Sequence, residues 1–266
     1  MGQYYRPCLL AENYKENYDP VIDSVDCYIL NNGAKLMESC YCGNAFIAGA
    51  IRMLRENKTK PFVWAGDYSD VVSPEYHGEL NLYNFATADD FDTEQTKENC
   101  SDLIEGHGKL TPEEYQEWYY DNFDKFIINH SKKQFVRVPD ADPDRWVIHP
   151  LSLLTANSNG RGGGDWDNNQ PMSDKIGIWA YDVIESADEV PEGYTELDVF
   201  FHELPYQLVR DYDVETSVKD GKYTARLISH DNDEVVLTAT KDKESEALRA
   251  LYGEIDKAGL IGEPIF

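Results

Sequence analysis

Apolar and polar positions along this chain follow two periods, one helical and one extended. In residues 44–57, NAFIAGAIRMLREN, the side chains of Phe46, Ile47, Ala50, Ile51 and Leu54 recur at helical spacing on one face. Asn44, directly after Gly43, supplies an N-cap. In residues 111–123, TPEEYQEWYYDNF, the start signal is stronger than the period: Thr111 caps, Pro112 takes the first turn and Glu114 closes a capping box. A last helix is predicted over about 242–258, with Leu248, Leu251, Tyr252 and Ile255 inward and Gly259 as terminator.

Alternation and short apolar runs predict strands elsewhere. They fall at 1–10, at DCYIL (26–30) before the Asn32-Gly33 turn, and at FVWAGDYSD (62–70), which runs into a turn. A hairpin is expected over 125–138 and a strand at KIGIWAYDVI (175–184). The C-terminal third alternates cleanly over 194–203, 210–218, 222–230 and 234–240, which predicts an antiparallel meander, and Asp220-Gly221 is a strong hairpin turn. Residues 86–108 are polar and acidic without a clear period and predict a long loop or a broken helix.

This order of elements predicts an α+β fold of antiparallel sheets with about three helices. Residues 1–190 form a first part that carries the motifs, and 191–266 form a meander with a C-terminal helix packed on the same core. YILNNGAK (28–35) echoes FIINHSKK (126–133), and WAGDY (64–68) echoes WAYDV (179–183), so an internal duplication is possible within the first two thirds.

Composition narrows the class. The 266 residues suffice for a large core, and 41% hydrophobic with 12% aromatic content predicts a folded chain. No apolar run reaches 18 residues, so no membrane span is expected. The N-terminal MGQYYRPCLL is too polar for a secretion signal, which predicts a cytoplasmic protein. Five cysteines, an odd number, argue against a secreted disulfide framework, and Cys40-Tyr41-Cys42 has no second pair at metal-ligand spacing, so buried thiols are expected.

A net charge of −26 changes the picture most. It excludes nucleic-acid binding through a basic face and favours a cationic partner or imitation of a polyanion. The charge is segregated: residues 61–125 hold 16 acidic and 3 basic side chains, and residues 176–240 hold 15 and 4. In 210–218, RDYDVETSV, the carboxylates of Asp211, Asp213 and Glu215 share one strand face, and Glu196 and Asp198 do so on the preceding strand. Were these strands neighbours, the result would be a two-dimensional carboxylate array, which destabilises a sheet unless a cationic partner covers it. The bland alternative is an ordinary solvated face.

The stretch NSNGRGGGDWDNN (157–169) lies in a neutral block. Gly162, Gly163 and Gly164 allow backbone N–H groups to converge on an anion, and Arg161 offers a bidentate grip on phosphate. The alternative is a surface turn with Arg161 solvated or paired to an aspartate. Neither a P-loop lysine nor a dinucleotide fingerprint is present. Asp165, Asp167 and Asn169 match the first three ligand positions of a calcium loop, but Gln170 and Ile176 stand where Gly and Glu are required, so no metal is expected; DADPD (140–144) shows the same incomplete pattern. Among the six histidines only His149, before Pro150 and close to the glycine loop, is a candidate for chemistry, while His202 on an alternating strand reads as structural.

MGQYYRP, GAKLMES, VWAGDYSD, NHSKKQFV and IHPLSLLTANSNGRGGGD together resemble a group of uncharacterised proteins found in bacteria, phages and mobile elements, over about residues 1–185. The resemblance implies no activity, and its setting implies a role in phage–host conflict. The leading expectation is therefore a non-enzymatic acidic protein, without cofactor, that occupies a basic surface of a host protein. Two alternatives stand beside it: a binder or hydrolase of a nucleotide-like signal held by Arg161–Gly164 with Asp165, Asp167 and His149, and an immunity protein that covers a toxin.

Overall fold

The computed structural model describes residues 2–30, 32–86, 103, 111–140, 147–166, 170–201 and 210–260. The chain divides into two compact units, Met1–Asp167 with Lys175–Glu196, and Asn168–Asp174 with Leu197–Phe266. Among the described residues, three sheets and seven helices make a mixed α+β protein, and three of the helices have seven residues or more.

The first unit is built on β1 (Tyr5–Leu10), β2 (Val21–Ser24), β3 (Phe62–Gly66) and β6 (Ala156–Asn157), in the order β2-β1-β3-β6. β1 is antiparallel to both neighbours, and β6 joins β3 in parallel. β1 and β3 are buried along their whole length because both faces are covered. On one face α2 (Ala45–Glu56) brings Phe46 against Trp64, ring centroids 5.1 Å apart and edge to face. On the other, Cys8, Leu10, Val63 and Ala65 pack with Leu82 and Ala86 of α4 (Leu82–Ala86). Sheets covered on both sides read as continuous apolar runs rather than alternating ones, which is what FVWAG is.

Asn44 caps α2 as its sequence position predicts, accepting from the N–H of Phe46 at 2.7 Å. Arg6 and Asp26 form an ion pair inside this unit, with side chains 7% and 6% exposed, and Arg6 also donates to the Ala86 carbonyl at 2.6 Å. The short helices α1 (Leu36–Ser39) and α3 (Pro74–His77) lie in the connections.

A second sheet, in the order β7-β4-β5-β8, holds the hairpin of β4 (Phe126–Asn129) and β5 (Gln134–Arg137) between β7 (Ile184–Ala187) and the two-residue β8 (Thr195–Glu196). Helix α5 (Pro112–Asn122) starts as its sequence requires: Thr111 N–H donates to Glu114 at 2.8 Å and Glu114 N–H to the Thr111 hydroxyl at 3.3 Å. α6 (Pro150–Thr155) is buried throughout.

The second unit is a meander of β9 (Tyr212–Lys219), β10 (Lys222–Ser229) and β11 (Val235–Lys241), in the order β11-β10-β9, with α7 (Glu244–Lys257) packed on β10 and β11. Asp220 and Gly221 both have positive φ, 53° and 73°, the requirement of the two-residue turn that their sequence announced. Val214, Ala225 and Leu227 are buried with Ala247, Leu248, Leu251, Tyr252 and Ile255 of α7.

Four sequence expectations give way to the structure. Of the described part of 194–203, only Thr195–Glu196 is strand, and it joins β5 rather than the meander. DCYIL (26–30) is a turn: the Asp26 side chain accepts from Tyr28 N–H at 2.7 Å, and Cys27 carbonyl takes the N–H groups of Leu30 and Asn32. A side chain that bonds its own backbone competes with a strand ladder and wins here. KIGIWAYDVI (175–184) is a chain of turns with positive φ at Gly177 and Tyr181. Its N–H groups go to the end of α6 instead, from Gly177 to Leu153, which also accepts from Ala156, and from Trp179 to Leu154, each at 2.8 Å. The internal echo has no structural counterpart among the described residues, because 28–30 is turn and 32–34 irregular where 126–129 is strand, and 64–66 is strand where 179–181 is turn. The acidic stretch 86–108 lies, apart from Ala86 and Leu103, outside the described residues, as do DADPD from 141 onward and His202. Among the described residues no helix is long and apolar enough to cross a membrane.

Candidate functional site

The glycine loop closes on an anion of its own. Asp165 Oδ2 accepts from the backbone N–H groups of Gly160, Arg161 and Gly162 at 2.7, 2.9 and 3.0 Å. The Gln3 amide, with its nitrogen towards Asp165, adds a fourth donor at 2.9 Å and reaches the Ser158 carbonyl at 3.1 Å. Tyr5 donates its hydroxyl to Oδ1 at 2.8 Å. Converging N–H groups of this kind form an anion nest, and here the chain fills it. Burial, reinforced by this bond to a carboxylate, pushes the Tyr5 phenol well above its ordinary range. Burial also raises the carboxyl of Asp67, with the neighbouring Asp165 charge acting in the same direction.

The loop's glycines make close contacts with the chain around them. A Cβ on Gly162 would sit 2.6 Å from Gln3 Cβ and 2.8 Å from Gln3 N. Gly164 has φ +85° and gives its carbonyl to Met37 N–H at 3.0 Å, while Gly163 gives its own to Gln3 N–H at 3.0 Å. Asn159 clamps the far end, accepting from Trp166 N–H at 2.8 Å.

Arg161 points the other way. Its two terminal nitrogens each lie 2.9 Å from one oxygen of Asp70, and Nη1 also donates to the Tyr68 carbonyl at 2.9 Å. The hydrogen bond and charge of Arg161 hold the Asp70 carboxyl below its usual range. Asp167 lies outside the described residues, and no group of three His, Cys, Asp or Glu among the described residues is placed to hold a metal.

His149 is fully buried at the start of α6, where Nδ1 accepts from Leu151 N–H at 3.3 Å. Burial lowers its pKa to about 3, so the ring is neutral, and Nε2 has no partner among the described residues. Its ring meets Phe123 edge on, 5.5 Å between centroids. It caps a helix and is not joined to the glycine loop by any hydrogen bond among the described residues. Cys8, Cys27 and Cys42 are thiols pushed up to about 12 by burial.

The carboxylate array does not assemble. Asp213 and Glu215 share a face of β9, as alternation requires, but β9 pairs only with β10 among the described residues. Glu196 belongs to β8, beside β5, and lies 3.3 Å from Arg137 Nε. Asp198 accepts from Glu244 N–H at 3.2 Å at the start of α7. Of the remaining carboxylates, Asp213 is 3.0 Å from the His230 ring, and Glu215 is the register partner of Arg226. Asp211, exposed, precedes β9.

Among the described residues, unpaired acid stands instead on α5, which the charge blocks contained but periodicity did not single out. Glu113, Glu117 and Asp121 recur every four residues along its exposed side, none in an ion pair among the described residues, and Tyr120 between them is 57% exposed. Like charges at this spacing destabilise a helix by a few tenths of a kcal/mol per pair. The opposite side carries buried Tyr119 and Phe123. Arg55 fixes the end of the helix through Asp124, with two bonds of 2.9 Å, and takes the Asp121 carbonyl at 3.1 Å.

A second cluster also escaped sequence reasoning because its members are remote in the chain. Lys58, Glu185, His130 and Tyr194 form a hydrogen-bonded chain with links of 2.7, 2.8 and 3.0 Å. Burial pushes the Glu185 carboxyl up, but the bonds from Lys58 and His130 outweigh it and leave it lowered. The chain ties the β4–β5 hairpin to β7 and to the turn before β8. No family model, curated protein or solved structure matches this chain.

Proposed function

We propose that the protein is an acidic interaction module that sets the outer side of α5 against a basic surface of another protein. The carrying observation is the line Glu113–Glu117–Asp121 beside exposed Tyr120. Its three carboxylates repel one another along one helix face, and a cationic partner relieves that repulsion while Tyr120 supplies an aromatic anchor of the kind that dominates interfaces. The occupied state of the glycine loop supports the same reading, since a phosphate there must displace Asp165 from its five donors. The resemblance to phage and mobile-element proteins suggests a host protein as the partner.

Binding of labelled protamine, followed by fluorescence anisotropy across a salt series, tests this. The triple change E113Q/E117Q/D121N is expected to weaken binding at least roughly tenfold, and the charge-matched E75Q/E79Q/E192Q by less than about twofold. Equal losses in the two variants would mean undirected charge attraction and end the reading. So would binding that survives unchanged at about 1 M salt, where exposed charges are screened within roughly 3 Å.

A further inference from the structure

The two borders of the β9–β11 sheet differ in chemistry. β9 carries Asp213, Glu215 and Lys219, the charged side chains that keep an open strand from pairing. β11 reads Val235-Val236-Leu237-Thr238-Ala239-Thr240 before Lys241, six residues without a charge, a proline or a glycine, and four of them β-branched. It has no strand beyond it among the described residues, and Val235 and Val236 are 50% and 44% exposed. Its outer row of N–H and C=O groups is therefore open to another strand, and the side chains along it are those that favour one.

The ends of β11 indicate which strand. Before it stands an acidic turn with Asp231, Asp233 and Glu234, all exposed, and after it stand Lys241 and Lys243, also exposed. The intervening Asp242 is neutralised by Lys222 within the same unit. β11 is thus an uncharged strand with an acidic turn before it and two exposed lysines after it; of the acids that follow on α7, Glu244 accepts from the Thr216 hydroxyl and Glu246 is exposed. An antiparallel copy of itself places the acidic turn of each beside the two lysines of the other, twice over.

We propose that β11 is a self-association edge, on which a second copy of this chain pairs antiparallel about a two-fold axis that passes between the two strands at their midpoints, giving a continuous six-stranded sheet. Such an interface is isologous, so each complementary contact occurs twice. Both α7 helices then lie on the same face of the joined sheet. This edge lies in the second unit and α5 in the first, so loss of one leaves the other standing.

Sedimentation velocity of the full chain over a concentration series, at about 0.15 M salt to screen the net charge, reads the association. The wild-type chain is expected to pass from monomer to dimer with concentration. Val236→Lys, an exposed position where a lysine blocks edge pairing, is expected to raise the dissociation constant at least roughly tenfold. A charge exchange removes the ambiguity of a folding defect. K241E/K243E and D231K/D233K/E234K each fail to form homodimers, one through two negative ends and the other through two positive ends, while their mixture forms the heterodimer. A chain that stays monomeric up to about 100 μM, a dimer that survives Val236→Lys, or a mixture no more associated than its components would each overturn the proposal; 100 μM corresponds to only about 5 kcal/mol of association.

Discussion

Arg161 and Asp70 meet across 91 positions of chain in a two-point pair, each terminal guanidinium nitrogen 2.9 Å from its own carboxylate oxygen. The residue that most resembled a phosphate ligand in the sequence thus has an anion of its own, at the surface. Nucleotides at millimolar concentration are expected to leave the melting temperature unchanged. A rise of several degrees, abolished in Arg161→Ala, would move the proposal from the acidic helix to this loop.

Asp165 is the stronger tie of the two. Asp165→Asn keeps the size but removes the charge that accepts from three backbone N–H groups, Gln3 and Tyr5. Loss of about 2–3 kcal/mol is expected, the magnitude of hydrogen bonds to a charged group. Arg161→Ala, which breaks an exposed pair, is expected to leave the denaturation midpoint almost in place. Urea denaturation of both variants gives the comparison, and an equal effect would show that the nest contributes nothing special.

Buried His149 gives the stability a pH dependence. Its pKa falls from the ordinary 6.5 to about 3 on folding, so the folded protein binds fewer protons than the unfolded chain. The contribution is complete above about 6.5 and is lost as pH falls from there towards 3, at up to about 1.4 kcal/mol per pH unit. His149→Asn keeps a capping acceptor without the titration. Denaturation at pH 7, 6 and 5 is expected to show a steeper loss in the wild type than in the variant.

The Arg6–Asp26 pair predicts a non-additive result. Asp26→Ala removes one carboxylate partner of the buried Arg6 guanidinium, and breaking such a buried pair costs about 3–5 kcal/mol. The double change R6M/D26L removes both charges and is expected to recover most of that loss. Chemical denaturation of the two variants measures the difference, and additive losses would show that the pair is solvated.

Thiol chemistry offers a further check. With thiols pushed up to about 12, Cys8, Cys27 and Cys42 expose on the order of one thiolate in ten thousand at pH 8. Mass spectrometry after brief iodoacetamide treatment is expected to find these three unmodified in the native protein and modified in urea.

Elements with local signals were legible in the sequence. Asn44, the Thr111–Glu114 box and Asp220-Gly221 each fix geometry within four residues of themselves, and all three do so here. Elements decided by distant partners were not. Trp179 lies in a turn because the end of α6 needs N–H donors, and Asp26 turns the chain while holding Arg6. At the candidate sites, alternation placed Asp213 and Glu215 on one face, yet it carried no information on whether 196–198 would lie beside them. The loop glycines were visible; that Asp165 would fill their nest was not, since Gln3 and Tyr5 complete it from the other end of this unit's chain.

That last arrangement bears on how the protein is made. Tyr5 is synthesised 160 positions before Asp165, the acceptor for its hydroxyl. At about 5–20 residues per second the ribosome delivers that carboxylate roughly 8–30 s later. Until then the Tyr5 hydroxyl of the nascent chain is without its final acceptor.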